Sequence, residues 1–162
     1  MADGKTLVVY YSRTGTTRQV AEAVAAELNA EVEEIVDTKK RKGVLGFVVA
    51  GKDAALKKLT AIEPAQKSPG DYDLVVVGTP VWAGTASTPV RTYLTEQRDR
   101  LPRVAFFLTT GGSGIEGAFR AMAELAGKDP LATLGLTTKQ VRRNEHGEKM
   151  KAFCEELRAG GQ

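Results

Sequence analysis

The sequence predicts an α/β fold in three layers: a doubly wound sheet of five parallel strands, order 2-1-3-4-5, with helices on both faces. Three observations carry that prediction. Five short β-type runs alternate with helical patterns along the chain. The first run, TLVVYY at 6–11, is apolar from Leu7 onward, as a strand covered on both faces requires. The 162 residues, 42% hydrophobic, suit one full-sized core, and no repeat or low-complexity stretch divides them. A single domain over 1–162 is expected.

The elements follow in order. After the first strand, Val20, Val24 and Leu28 recur at helical spacing. EVEEIV at 31–36 alternates polar and apolar residues, as an edge strand does. A helix over 44–59 is expected from the stripe Leu45, Val48, Val49, Leu56 and Leu59, with Phe47 off the stripe and Gly46 and Gly51 loosening it. That segment is either a longer second helix or a partner, dimer or substrate surface near the basic run KKRK at 39–42. PAQKSPGDYD at 64–73 is a surface loop. LVVVGT at 74–79 is the third strand, and VAFFLTT at 104–110 the fourth. LATLGLTTKQV at 131–141 holds the fifth. Helices are expected over 89–98, 116–126 and 146–158, the last burying Met150, Phe153, Cys154 and Leu157. His146 is expected in solvent at the start of that helix.

Composition narrows the function classes. The net charge is +3 and the pI near 9.0, with basic residues scattered and not interleaved with aromatics, which argues against nucleic acid. The one cysteine excludes an internal disulfide. No signal-peptide core, lipidation site or run of ~18 apolar residues appears, so a cytoplasmic protein without a membrane span is expected.

The chemistry concentrates where the first strand becomes the first helix. Ser12, Thr14, Thr16 and Thr17 surround Gly15 there. In a doubly wound sheet, ligands sit at the carboxyl ends of the strands. Helix N-termini present N–H groups and a dipole that favour an anion. Hydroxyls add O–H donors, and Gly15 admits a close approach. Residues 12–17 are therefore expected to cradle a phosphate. One hydroxyl would be plain helix capping; four around a glycine exceed that need.

Rival motifs fail. GKT at 4–6 precedes the strand and lacks the first glycine of a P-loop. Gly112, Gly114 and Gly117 form a G-x-G-x-x-G, but after the fourth strand. Ser113 follows Gly111 as in a nucleophile elbow, but position 115 is Ile; Ser113, Asp129 and His146 share only hydrolase chain order. A phospho-receiver would need an Asp where Thr79 stands.

Two further loops point to the same end of the sheet. GTPVWAGTAST at 78–88 carries the only tryptophan, Trp82. TTGGSG at 109–114 is small side chains and backbone donors. With the [ST]-x-T-G-x-T match at 12–17, these loops make the chain resemble the flavodoxin-like family over almost its entire length. The resemblance implies FMN as cofactor. It implies that Ser12, Arg13, Thr14, Gly15, Thr16 and Thr17 hold the phosphate. It places Pro80, Val81, Trp82, Ala83 and Gly84 beside the isoalloxazine ring, and Thr110, Gly111, Gly112, Ser113 and Gly114 at its edge. Electron transfer through the flavin is implied, with a redox partner protein or a small-molecule acceptor. No catalytic side chain and no metal is called for. The chain departs from the acidic electron carriers of that family: it is basic, and its fourth-strand loop has no aromatic residue. An open ring face would suit an FMN-dependent NAD(P)H:quinone-type oxidoreductase, the alternative implied.

Overall fold

The computed structural model describes residues 4–38 and 61–160. The expected helix over 44–59 and the basic run 39–42 lie outside them.

The strands are β1 (Thr6–Tyr10), β2 (Glu31–Glu34), β3 (Leu74–Trp82), β4 (Thr85–Ala86), β5 (Arg103–Thr110) and β6 (Thr133–Thr137). The helices are α1 (Thr16–Leu28), α2 (Thr88–Gln97), α3 (Ile115–Ala126), α4 (Thr138–Arg142) and α5 (Gly147–Gly160). The main sheet runs β2-β1-β3-β5-β6, all parallel, and β4 hangs antiparallel on β3. The expected order is thus observed, with one small strand added.

The apolar run of β1 is explained by its two covered faces. Leu7 and Val9 join Val75, Val77, Val90, Leu94 and Met122 on the side of α2 and α3. Val8 and Tyr10 join Val20, Val24, Phe107, Phe153 and Leu157 on the side of α1 and α5. Period-two alternation sends successive side chains to opposite cores. Among the described residues, β2 pairs only with β1, and it exposes Glu31 and Val32, which suits a charged edge strand.

Two expectations need correction. Pro80, Val81 and Trp82 do not lie in a loop; they finish β3, which turns at Ala83 and Gly84 and returns as β4. Both turn residues are left-handed, Ala83 at φ 51° and Gly84 at φ 77°, as a two-residue hairpin that follows strand twist demands. His146 is also not in solvent. It is 7% exposed, and its Nδ1 has no hydrogen-bond partner among the described residues. The α4–α5 connection is tight, with Asn144 left-handed and Glu145 N–H donating to the Gln140 carbonyl at 2.8 Å. That tightness leaves His146 covered instead of splayed outward.

Arginines and a lysine fasten the amino-end pole of the sheet. Arg98 donates to the Glu124 carbonyl near the end of α3, Arg158 to the Glu27 carbonyl near the end of α1, and Arg103 to the Gly160 carbonyl ending α5. Lys128 donates to the carbonyls of Leu101 and Pro102. Cations there meet the negative ends of helix dipoles and fill orphan carbonyls. Part of the basic excess is thereby spent away from the strand carboxyl ends.

Candidate cofactor site

Parallel strands that are neighbours deliver their following loops to one edge. Because β1, β3 and β5 are adjacent, the segments starting at Tyr11, Thr79 and Thr110 converge. Three contacts tie them pairwise. The hydroxyls of Thr17 and Thr109 are 2.8 Å apart. The rings of Tyr11 and Trp82 meet edge-to-face at 5.5 Å. A Cβ placed on Gly117 would stand 2.9 Å from the Gly84 carbonyl oxygen.

The α1 terminus has an unusual property for a segment so rich in hydroxyls. Its N-cap is Gly15, left-handed at φ 105°, and no side chain caps it. Its first turn contains no acidic residue. Gln19 N–H reaches the Gly15 carbonyl at 3.0 Å, so the N–H groups of Thr16, Thr17 and Arg18 precede the first intrahelical bond. Ser12 Oγ accepts from Gly15 N–H at 2.9 Å and keeps its own proton to donate. Thr14 is exposed, while Ser12, Arg13 and Thr16 are half-buried. Arg18 is paired with Glu34 at 2.7 Å and donates to Tyr10 Oη at 3.1 Å. The Glu34 contact raises the Arg18 guanidinium pKa further, so this cation stays charged beside the helix start. The donor set is therefore one that suits an anion, and simple capping does not account for the hydroxyls.

Trp82 is 7% exposed and belongs to the core shared by α2 and α3. It ends β3 and is braced by the edge-to-face contact with Tyr11. The hairpin beneath it is held by Thr79, whose Oγ1 accepts from Ser87 N–H at 2.9 Å and lies 2.9 Å from Ser87 Oγ. Arg91, on α2, is 5% exposed, and burial lowers its pKa. It is an interior charge on the covered side of α2.

The loop after β5 is organised by one side chain. Thr110 Oγ1 accepts from the N–H groups of Gly112 and Ser113, each at 3.2 Å, and donates to the Ser113 carbonyl at 2.6 Å. Two of the amides that composition suggests as ligand donors are thus turned inward. What the loop presents instead is space. A Cβ on Gly111 or Gly112 would meet nothing within 4 Å, and the same holds for Gly15 and Gly84. Gly114 differs: it is the left-handed N-cap of α3 and packs on Gly84 and Val81.

A cavity of about 280 Å³ lies elsewhere, lined by Val32 to Val36, Ile62 to Lys67 and Tyr93. None of the predicted loop residues lines it. Among the described residues, no cluster of His, Cys, Asp and Glu could hold a metal, and no helix is long and apolar enough to cross a membrane.

Comparison with known proteins agrees with this fold. Residues 5–152 match the family described as Flavodoxin. No curated protein matches the chain. Among solved structures, a flavoprotein from Lactobacillus acidophilus in complex with FMN is 25% identical, with a TM-score of 0.71 over 86% of this chain and 97% of its own. A protein from Bacteroides eggerthii is 24% identical, with a TM-score of 0.71 over 87% of this chain and 95% of its own. The two-electron reduced flavodoxin of Megasphaera elsdenii shares the fold at 17% identity, TM-score 0.56, over 93% of this chain and 98% of its own.

Proposed function

The chain belongs to the flavodoxin family, and on that premise we propose that it binds FMN at the convergence of the three loops and serves as a redox protein that transfers electrons through it. The observation that carries the reading is the α1 terminus: uncapped, without an acid in its first turn, and surrounded by hydroxyls. Such an end favours a phosphate dianion through amide donors and the helix dipole together.

Bound flavin supplies one- and two-electron transfer. The protein's own residues hold and shape. Ser12, Thr14, Thr16 and Thr17, with Arg13, take the phosphate. Pro80, Val81, Trp82, Ala83 and Gly84 form one wall of the ring site, stiffened by the Tyr11 contact and by the Thr79–Ser87 bonds. Thr110, Gly111, Gly112, Ser113 and Gly114 form the other, with Thr110 fixing the loop and Gly111 and Gly112 leaving room.

A second reading is favoured by one specific feature. The 110–114 loop brings no aromatic residue, and two of its glycines face open space. A small acceptor or a nicotinamide then has room beside the ring, which supports an FMN-dependent NAD(P)H:quinone-type oxidoreductase. Cytoplasmic residence and an acceptor that is either a protein or a small molecule complete the proposal.

Two measurements test it. Replacing Thr14 and Thr16 together by Ala removes hydrogen bonds to a charged group, each worth roughly 1.5–3 kcal/mol. FMN affinity falls while riboflavin affinity holds; unchanged FMN affinity overturns the site. Anaerobic NADH or NADPH added to the FMN-loaded protein then separates the two readings. Bleaching of the flavin band identifies the oxidoreductase, and its absence the electron carrier.

A further inference from the structure

Thr17 and Thr109 are separated by 92 residues, and their hydroxyls are 2.8 Å apart in a buried contact. Thr17 is 2% exposed and Thr109 4% exposed. Thr17 is the second residue of α1, in the turn whose amides lack intrahelical partners. Thr109 lies on β5, in register with Pro80 on one side and Leu136 on the other.

A hydroxyl has one proton and two lone pairs. In a buried pair, one member donates and the other's proton must go elsewhere. If Thr17 donates to Thr109, the α1 end loses one of its donors. If Thr109 donates to Thr17, the Thr17 proton is available to an anion at the helix end, alongside the amides. An anion selects the second arrangement, because it supplies the acceptor that the Thr17 proton needs. The bond from Thr109 also fixes the Thr17 rotamer beforehand, and a hydroxyl that accepts a hydrogen bond becomes a better donor.

We propose that Thr109 is a positioning residue for phosphate recognition: its hydroxyl donates to Thr17 and thereby directs the Thr17 proton into the cradle. The inference rests on the reading of residues 12–17 as the phosphate site of FMN. It makes the grip of the first loop depend on a residue of β5 that never touches the ligand.

The test uses the full chain and two ligands that differ only by the phosphate. Affinities for FMN and riboflavin are measured for the unaltered protein, Thr109→Val, Thr109→Ser and Thr17→Val, each with its melting temperature. Thr109→Val keeps the packing volume and lowers FMN affinity about fivefold, the worth of one net hydrogen bond, while riboflavin affinity stays constant. Thr109→Ser restores FMN binding, and Thr17→Val loses more than Thr109→Val. Full FMN affinity in Thr109→Val overturns the proposal, as does equal loss for both ligands, or Ser failing where Val fails. If the unaltered protein fails to prefer FMN over riboflavin, the cradle itself is wrong and the proposal falls with it. The two failures are therefore distinguishable.

Discussion

Gly114 packs directly on Gly84: a Cβ added at Gly114 would stand 2.9 Å from the Gly84 Cα and 2.9 Å from Val81 Cγ1. The hairpin wall and the start of α3 meet at this pair of glycines, and both are left-handed. Gly114→Ala brings a clash with backbone together with an unfavourable φ, a cost of about 2 kcal/mol or more. Urea denaturation reads that loss, and the displaced hairpin lowers FMN affinity as well. A variant with unchanged stability would show that the hairpin gives way freely.

Gly111 provides the opposite case. A Cβ there meets nothing within 4 Å, and its φ is not in the left-handed region. Gly111→Ala leaves stability within about 0.5 kcal/mol. If the space beside it receives the flavin, FMN affinity nonetheless falls. Stability and affinity both unchanged would move the ring away from this loop.

Gly78 shows how closely the sheet core is packed. A Cβ on Gly78 would run into the ring of Phe107, so the phenyl ring lies over the glycine. Gly78→Ala overpacks the core by about 1–3 kcal/mol. Combining it with Phe107→Leu recovers part of that loss, which a double-mutant cycle measures. Strictly additive losses would contradict the contact.

Much of this was legible in the sequence, and the exceptions have physical causes. The apolar run at 6–11 announced a strand with two covered faces, because no other placement hides so many consecutive side chains. The hydroxyl-rich turn announced a helix start, and α1 begins there at Thr16. The β3–β4 hairpin was hidden, because its return strand is only two residues and Ala83 occupies a left-handed position that sequence normally marks with Asn, Asp or Gly. The inward turn of the Gly112 and Ser113 amides was hidden too, since composition does not say which donors a neighbouring Thr110 consumes. His146 sits in a stretch of charged residues whose pattern signals solvent, yet a tight connection buries it. The roles of Arg98, Arg103 and Arg158 were hidden as well: they serve carbonyls at or near helix ends, where no periodicity reveals them.

Cys154 links burial to pH. It is fully buried, and burial pushes its thiol up to about 11 from an ordinary value of 9.0. A folded value above the unfolded one means the native state holds the proton more tightly. The associated stability is complete below pH 9 and is lost as pH rises toward about 11. Urea midpoints therefore decline over that window, and Cys154→Ala flattens part of the decline. The native thiol also resists a disulfide reagent that labels the unfolded chain. Rapid native labelling would contradict its burial.

Trp82, the only tryptophan, reports on the β3–β4 hairpin where it ends β3. Its burial against Tyr11 predicts blue-shifted emission in the ligand-free protein. FMN binding quenches that emission. Bound FMN with unchanged tryptophan fluorescence would place the ring away from the hairpin.

The central claim is that the uncapped start of α1 holds the phosphate of FMN. Nitrogen-edited proton NMR of the full chain tests it most directly, through the backbone amides of Thr16, Thr17 and Arg18. The account predicts that these amide protons move strongly downfield when FMN is added and stay in place when riboflavin is added. Resonances unmoved in an FMN-saturated protein, or moved equally by both ligands, would contradict it.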